Sequence, residues 1–98
     1  MKSFEITSAA VDLARAAARQ GGIRGTNCVV AQAATPKLEG AVVTDCGSFY
    51  VDTDKGSFEF VGGYTGEQAK KVRNVIDLFR SGKDEELKKS LPLVVVLK

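Results

Sequence analysis

The segment from Ser48 to Val61 constrains the fold more than any other part of this sequence. Hydrophobic and polar residues alternate on both sides of a turn, Thr53-Asp54-Lys55-Gly56, whose aspartate and glycine are typical of a tight connection between antiparallel strands. The side chains that share a face are Phe49 with Val51 on the first strand and Phe58 with Phe60 on the second. The pattern predicts a β-hairpin with an aromatic face, and with it an antiparallel sheet.

Three other segments have the composition of strands. Phe4 and Ile6 alternate with polar residues, which suits a short half-buried strand, and residues 41–44 are a further candidate. The run Leu93–Leu97 is continuously apolar and largely β-branched. Such a run is typical of an interior strand that is covered on both faces.

Apolar residues at helical spacing predict a first helix over residues 9–20, with Ser8 as its N-cap and Gly21-Gly22 as its end. Its apolar face is alanine-rich and includes Leu13. A second, short helix over residues 28–34 is favoured over a strand, because this run lacks alternation. Thr26 or Asn27 is the expected cap, and Thr35-Pro36 is the expected end, since a residue before proline is pushed out of the α region.

The third helix has the strongest helical periodicity. Thr65 and Gln68 have the spacing of a capping box, and Gly82 follows the last turn. The stripe that should pack on the sheet consists of Ala69, Val72, Val75, Ile76 and Phe79. Residues 83–90 form a charged connector with room for one helical turn.

These elements predict one α+β domain over residues 1–98, with two or three helices packed on a small, mostly antiparallel sheet of four or five strands. The composition, 44% hydrophobic and 27% charged, is that of a globular domain.

Composition also excludes several classes of function. The sequence has no histidine, which removes Ser-His, Cys-His and imidazole–metal chemistry. A net charge of +2 is too small for a dedicated duplex binder, so nucleic acid is a disfavoured partner. We expect no catalytic residues, no metal site, no cofactor and no enzyme activity.

No apolar run approaches the length of a membrane span, and the first residues do not resemble a secretory signal. The sequence therefore predicts a cytoplasmic protein without membrane contact. In that compartment Cys28 and Cys46 should both be inert thiols rather than a disulfide.

Two small-molecule sites compete with simpler interpretations. The loop Gly21–Asn27 precedes a helix start, where backbone N–H groups receive anions, so a phosphorylated ligand or nucleotide is an alternative function. Its candidate binding residues are Arg24, Gly25, Thr26, Asn27 and Cys28. An ordinary helix–loop–helix turn is favoured over this site. A second alternative is an enzyme built on Cys28, although a small buried hydrophobe is the favoured role for that side chain.

The last third of the sequence suggests a partner surface. Its candidate contact residues are Lys70, Lys71, Arg73 and Arg80. An acidic partner surface would complement these cations, whereas a plain solvated helix face is the default interpretation.

The order of elements, with Cys28, Val30 and Ala31 opening the second helix, resembles a group of small proteins from tailed phages and prophages. In that group a Cys-Pro-Ile/Val-Ala helix start precedes a hairpin, a helix ending in an aromatic-acidic-glycine stretch, and a last hydrophobic strand. Residues 76–82 and 93–97 match the last two elements, whereas Val29 stands where proline is usual. The resemblance implies a phage origin and no particular chemistry.

These observations together predict a small non-catalytic interaction protein that binds a host or defence macromolecule and modulates or inhibits it. A protein is the favoured partner, and the host cytoplasm is the expected place of binding. The hairpin has one lysine, in its turn, and no proline. Because such a strand edge has little protection against pairing, we also expect a two-fold homodimer.

Overall fold

The structure is a computed structural model that describes residues 2–22, 28–38 and 40–98. Its strands are β1 (Lys2–Ile6), β2 (Val43–Cys46), β3 (Tyr50–Thr53), β4 (Gly56–Glu59) and β5 (Leu93–Leu97). Its α-helices are α1 (Ser8–Gly21), α2 (Val29–Ala34), α3 (Glu67–Arg80) and α4 (Asp84–Lys89), with a 3-10 turn at Thr35–Lys37. The α+β class predicted from the sequence is confirmed.

The strands form two antiparallel sheets rather than one. β1 pairs with β5, and β3 lies between β2 and β4. Phe60, just beyond β4, forms a single bridge to Leu97, and the Val61 N–H donates to the Val96 carbonyl at 2.9 Å. The predicted hairpin is confirmed, and its outer strand is partly covered by the end of β5.

The apolar run of β5 predicts a strand that is covered on both faces, but only one face of β5 is buried in the structure. Val95 and Leu97 are buried, but Val94 is 53% exposed. Val94 pairs with Glu5 of β1, and both side chains are exposed on the face opposite the core. The apolar run is therefore that of a strand with one solvent-facing side, because the described helices do not cover that face.

α1 differs from its prediction in its cap and in its buried face. Thr7 is the N-cap, and its hydroxyl accepts the Ala10 N–H at 3.3 Å, so Ser8 is the first helical residue. Val11 is buried instead of Leu13, which is 59% exposed. The smaller Ala10 and Ala14 also face the core, which lets the neighbouring α2 approach closely.

α2 is a helix, as favoured from the sequence, and it ends at Ala34 with Thr35 as its C-cap, as predicted, but its predicted N-cap is wrong. Cys28 is the N-cap, in place of Thr26 or Asn27. Thr35 keeps α-helical angles, φ −52° and ψ −48°, although Pro36 follows it, and the chain continues as a 3-10 turn. The Thr35 hydroxyl donates to the Ala31 carbonyl at 2.7 Å, which stabilises this extension.

α3 buries Ala69, Val72, Val75 and Phe79 of its predicted stripe and leaves Ile76 half-buried, but the predicted capping box is wrong. The helix begins at Glu67 with Gly66 as N-cap, so Thr65 lies outside it. A Cβ atom at Gly66 would lie 2.9 Å from the backbone of Gly62, so the chain turns here through a contact that only glycine permits.

Gln68 instead binds the edge of β5. Its Oε1 accepts the Val96 N–H at 2.6 Å, and its Nε2 donates to the carbonyls of Val96 and Val61 at 3.2 and 2.9 Å. A side-chain amide thus occupies backbone groups that would otherwise be open to another strand.

Gln68→Ala should lower the free energy of unfolding by about 1–3 kcal/mol, because it leaves the part-buried Val96 N–H without its acceptor. Thr65→Ala is the control and should change stability by less than about 0.5 kcal/mol, since Thr65 caps nothing. Urea denaturation of both variants measures the two effects. Equal losses would restore the capping box and contradict the role given to Gln68.

Candidate functional site

The four basic residues predicted as one partner surface lie in three different surroundings. Arg73 stacks on Tyr64, Lys70 and Lys71 line a groove, and the charge of Arg80 acts on the Cys28 thiol. They share α3 but not one surface, because Lys71 lies about 100° around the helix from Lys70 and Arg80 lies about two turns beyond Arg73. The structure therefore divides the predicted surface into separate candidate sites.

The first candidate is an aromatic patch made of Phe49, Tyr50, Tyr64 and Arg73. The Phe49 ring meets the Tyr64 ring edge to face, with centroids 5.6 Å apart, and meets the Tyr50 ring at 5.0 Å. The Arg73 guanidinium lies 4.5 Å from the centre of the Tyr64 ring, and its Nη1 donates to the Tyr64 carbonyl at 2.8 Å. The Tyr64 ring is thus held on two sides.

Three separate parts of the chain build this patch. Phe49 and Tyr50 lie at the start of β3, Tyr64 lies in the turn before α3, and Arg73 lies in the second turn of that helix. Gly47 makes room for Tyr50, since a Cβ atom there would lie within 3 Å of the phenol ring. The Tyr50 ring can therefore pack against the backbone at residue 47 only because that residue is glycine.

The aromatic residues of the hairpin divide between core and surface. Phe60 is buried, whereas Phe49, Tyr50 and Phe58 are half-buried. Tyr64 is 58% exposed. Tyr64 follows two glycines and projects from a turn, which leaves its ring at the surface.

The second candidate is a groove of about 400 Å³ between α3 and the start of β5. The apolar part of its lining consists of Val75, Pro92 and Leu93, and the lining also includes Lys70 and Lys71. Lys70 pairs with Glu67 at 3.5 Å, a contact between exposed groups that contributes little.

The third candidate is a pair of cysteine thiols. Cys28 caps α2 and Cys46 ends β2, and the two side chains are joined by a hydrogen bond. The bond from Cys46, the N–H groups of Ala31 and Val30, and the charge of Arg80 stabilise a thiolate at Cys28. Against the opposing effect of burial, they lower the pKa of Cys28 to about 7. The pKa of Cys46 is raised, because its proton is held by Cys28 and because it is partly buried.

Both cysteines are thiols in the structure, as predicted, and no disulfide joins them. Their contact was not predicted, because no property of the sequence places residue 28 beside residue 46. The helix cap at Cys28 was the one available signal, since a thiol at a helix start is a common way to lower its pKa.

The predicted ligand loop lies largely outside the described residues. Of its candidate binding residues, Arg24, Gly25, Thr26 and Asn27 lie in the range 23–27, outside the described residues, and Cys28 alone is described. The phosphorylated-ligand alternative therefore stays a prediction.

Within residues 2–22, 28–38 and 40–98, no three acidic, cysteine or histidine side chains are close enough together to hold a metal ion. In the same ranges no helix has the length and apolar character needed to cross a bilayer.

Comparison with known proteins gives no match to a family model, a curated protein or a solved structure. The resemblance to small phage proteins therefore stays a prediction that depends on the residues named for it above.

Proposed function

We propose that this is a small interaction protein without chemistry of its own, which binds a partner protein through the aromatic patch of Phe49, Tyr50, Tyr64 and Arg73. One observation carries the proposal: the Tyr64 ring is 58% exposed although Phe49 and Arg73 hold it in place. Tyrosine and arginine are among the residues most enriched where binding energy concentrates at protein interfaces.

The fixed position of the ring is what favours binding. A free surface side chain loses about 0.5–1.5 kcal/mol of conformational freedom when a partner immobilises it. Tyr64 has lost much of that freedom in the unbound protein, because the Phe49 ring and the Arg73 guanidinium already restrict it. When Tyr64 binds a partner, it therefore loses less conformational entropy, and more of the free energy of its contacts contributes to affinity.

The charge of the patch indicates the chemistry of the partner surface. Arg73 has no carboxylate within 4 Å in the described part of the chain, so its charge is available to a partner. A surface that combines an apolar pocket for the Tyr64 ring with a carboxylate for Arg73 would complement both groups. This agrees with the acidic partner suggested by the basic residues of the sequence.

The mode of action we propose is occlusion, in which the bound domain covers part of the partner and modulates or inhibits it. The resemblance to phage proteins supports a host or defence protein as that partner, met in the host cytoplasm. A two-fold dimer remains part of the proposal. Its interface would lie away from the end of β4, which β5 already covers.

A photo-reactive phenylalanine derivative placed at position 64 should crosslink to a partner protein in cells that express the chain. The same derivative at position 13 is the control, because Leu13 has nearly the same exposure, 59% against 58%, but does not belong to the patch. A protein adduct at position 64 alone supports the proposal. A nuclease-sensitive adduct would instead assign the patch to nucleic acid, and equal adducts at both positions would contradict it.

With the crosslinked partner purified, Tyr64→Ala should weaken its binding about 30-fold or more, which corresponds to the 2 kcal/mol typical of a central interface residue. Arg73→Ala should also weaken binding, because it removes both a charge and the support of the ring. Leu13→Ala should leave the dissociation constant unchanged in the same calorimetric titration. A Tyr64→Ala protein that is folded and binds normally would exclude the patch as the interface.

A further inference from the structure

We propose that Cys28 and Cys46 form a site of reversible oxidation, at which a peroxide converts the two thiols into an intramolecular disulfide. The inference does not depend on the proposed function, since it concerns the thiol pair and not the aromatic patch. It starts from the contact between two side chains that lie 18 positions apart in the sequence, in different elements of the fold.

The geometry brings the two sulfur atoms together. Cys28 is the N-cap of α2, and Cys46 is the last residue of β2, which packs beside that helix. Each thiol is the largest influence on the pKa of the other, so the two side chains lie close together where α2 packs beside β2. The rest of the chain supplies no other cysteine to compete for either sulfur.

Access to the pair is limited but present. Cys28 is 7% exposed, while Cys46 is half-buried at the surface. A small oxidant such as hydrogen peroxide can reach such a site, whereas a large protein thiol is hindered. The chemical class of the reactant is therefore a small peroxide.

The groups around each sulfur atom give the two cysteines different roles in the oxidation. Cys28 is the nucleophile, because the bond from Cys46, two backbone N–H groups and Arg80 stabilise its thiolate and lower its pKa to about 7. Cys46 keeps its proton at neutral pH, because donation to Cys28 and partial burial raise its pKa. One partner is thus poised to attack the oxidant and the other to resolve the product.

The reaction balances in two steps. The Cys28 thiolate attacks one oxygen of hydrogen peroxide, the O–O bond breaks, and hydroxide leaves with a proton from solvent as water, which oxidises Cys28 to a sulfenic acid. Cys46 then loses its proton and attacks the Cys28 sulfur, and the sulfenic oxygen leaves as a second water. Two thiols and one peroxide give one disulfide and two water molecules, and a dithiol reductant reverses the change.

Mass spectrometry of the native protein after brief treatment with equimolar hydrogen peroxide tests the inference. The intact mass should fall by that of two hydrogen atoms, and a tryptic digest should contain the Cys28 and Cys46 peptides joined by a bond that dithiothreitol cleaves. An unchanged mass, a disulfide between two molecules, or a sulfinic acid on either cysteine would overturn it.

Two single substitutions assign the order of events. In Cys46→Ser, Cys28 should stop at the sulfenic acid, which dimedone traps, whereas in Cys28→Ser dimedone should label Cys46 far more slowly. The rate of Cys28 alkylation in the wild-type protein should rise with a midpoint near pH 7. Equal dimedone labelling of the two variants would overturn the assignment of Cys28 as nucleophile, and the wild-type measurements decide the proposal even where a variant fails to fold.

Discussion

Replacing Phe79 with alanine should lower the free energy of unfolding by about 3–5 kcal/mol, the range observed when a fully buried aromatic ring is removed. The ring is fully buried at the end of the α3 stripe, and the Arg15 guanidinium of α1 lies 4.1 Å from its centre. The same guanidinium donates to the Phe79 carbonyl and forms two hydrogen bonds with Asp84 of α4, at 2.9 and 2.7 Å. Loss of the ring leaves a cavity at the point where these three helices meet.

Guanidinium denaturation at neutral pH measures the effect, with Lys71→Ala as the control. Lys71 is exposed on the same helix and forms none of these contacts, so its replacement should change stability by less than about 0.5 kcal/mol. A loss below about 1 kcal/mol in Phe79→Ala would show that the ring is not part of the core.

Replacing Phe60 with alanine should cause a loss of similar size, about 3–5 kcal/mol. Phe60 is fully buried beside the end of β5, where it forms a bridge to Leu97 and its ring meets Phe4 of β1 edge to face at 6.3 Å. Its removal takes away both the core volume and the contact that holds the hairpin against the β1–β5 pair.

Phe58→Ala is the matched control, since it removes the same side chain two positions earlier on the same strand. Phe58 is half-buried, and the Lys2 ammonium lies 4.8 Å from the centre of its ring. Thermal unfolding should therefore show a clearly smaller loss for Phe58→Ala than for Phe60→Ala. Equal losses of stability in the two variants would mean that Phe58 and Phe60 are buried to the same extent, which would contradict the structure.

Side-chain periodicity was sufficient to place most elements. The hairpin, the α3 stripe and β1 were predicted because alternation and helical spacing depend on residues within a few positions of each other. The errors fall at helix ends, where the choice between Thr7 and Ser8, or between Gly66 and Thr65, depends on small differences in local hydrogen bonding. The exposed face of β5 was also missed, because its composition does not reveal whether a second layer covers it.

The candidate sites were less predictable than the fold. Arg73 was predicted as a contact residue from charge alone, but its place on the Tyr64 ring depends on the turn that brings Tyr64 back to α3. Lys70, Lys71 and Arg80 were grouped with it because they share a helix, but in the structure Lys70 and Lys71 line a groove and Arg80 acts on Cys28.

The sequence by itself determined the α+β class, the order of helices and strands, and the lack of imidazole chemistry, because composition and short-range periodicity carry that information. Only the tertiary structure brought Gln68 to Val96, 28 positions away, and the Cys28 thiol to Cys46. Contacts of this kind depend on how complete elements pack. Packing depends on the fit of many buried side chains at once, and not only on the two residues that come into contact.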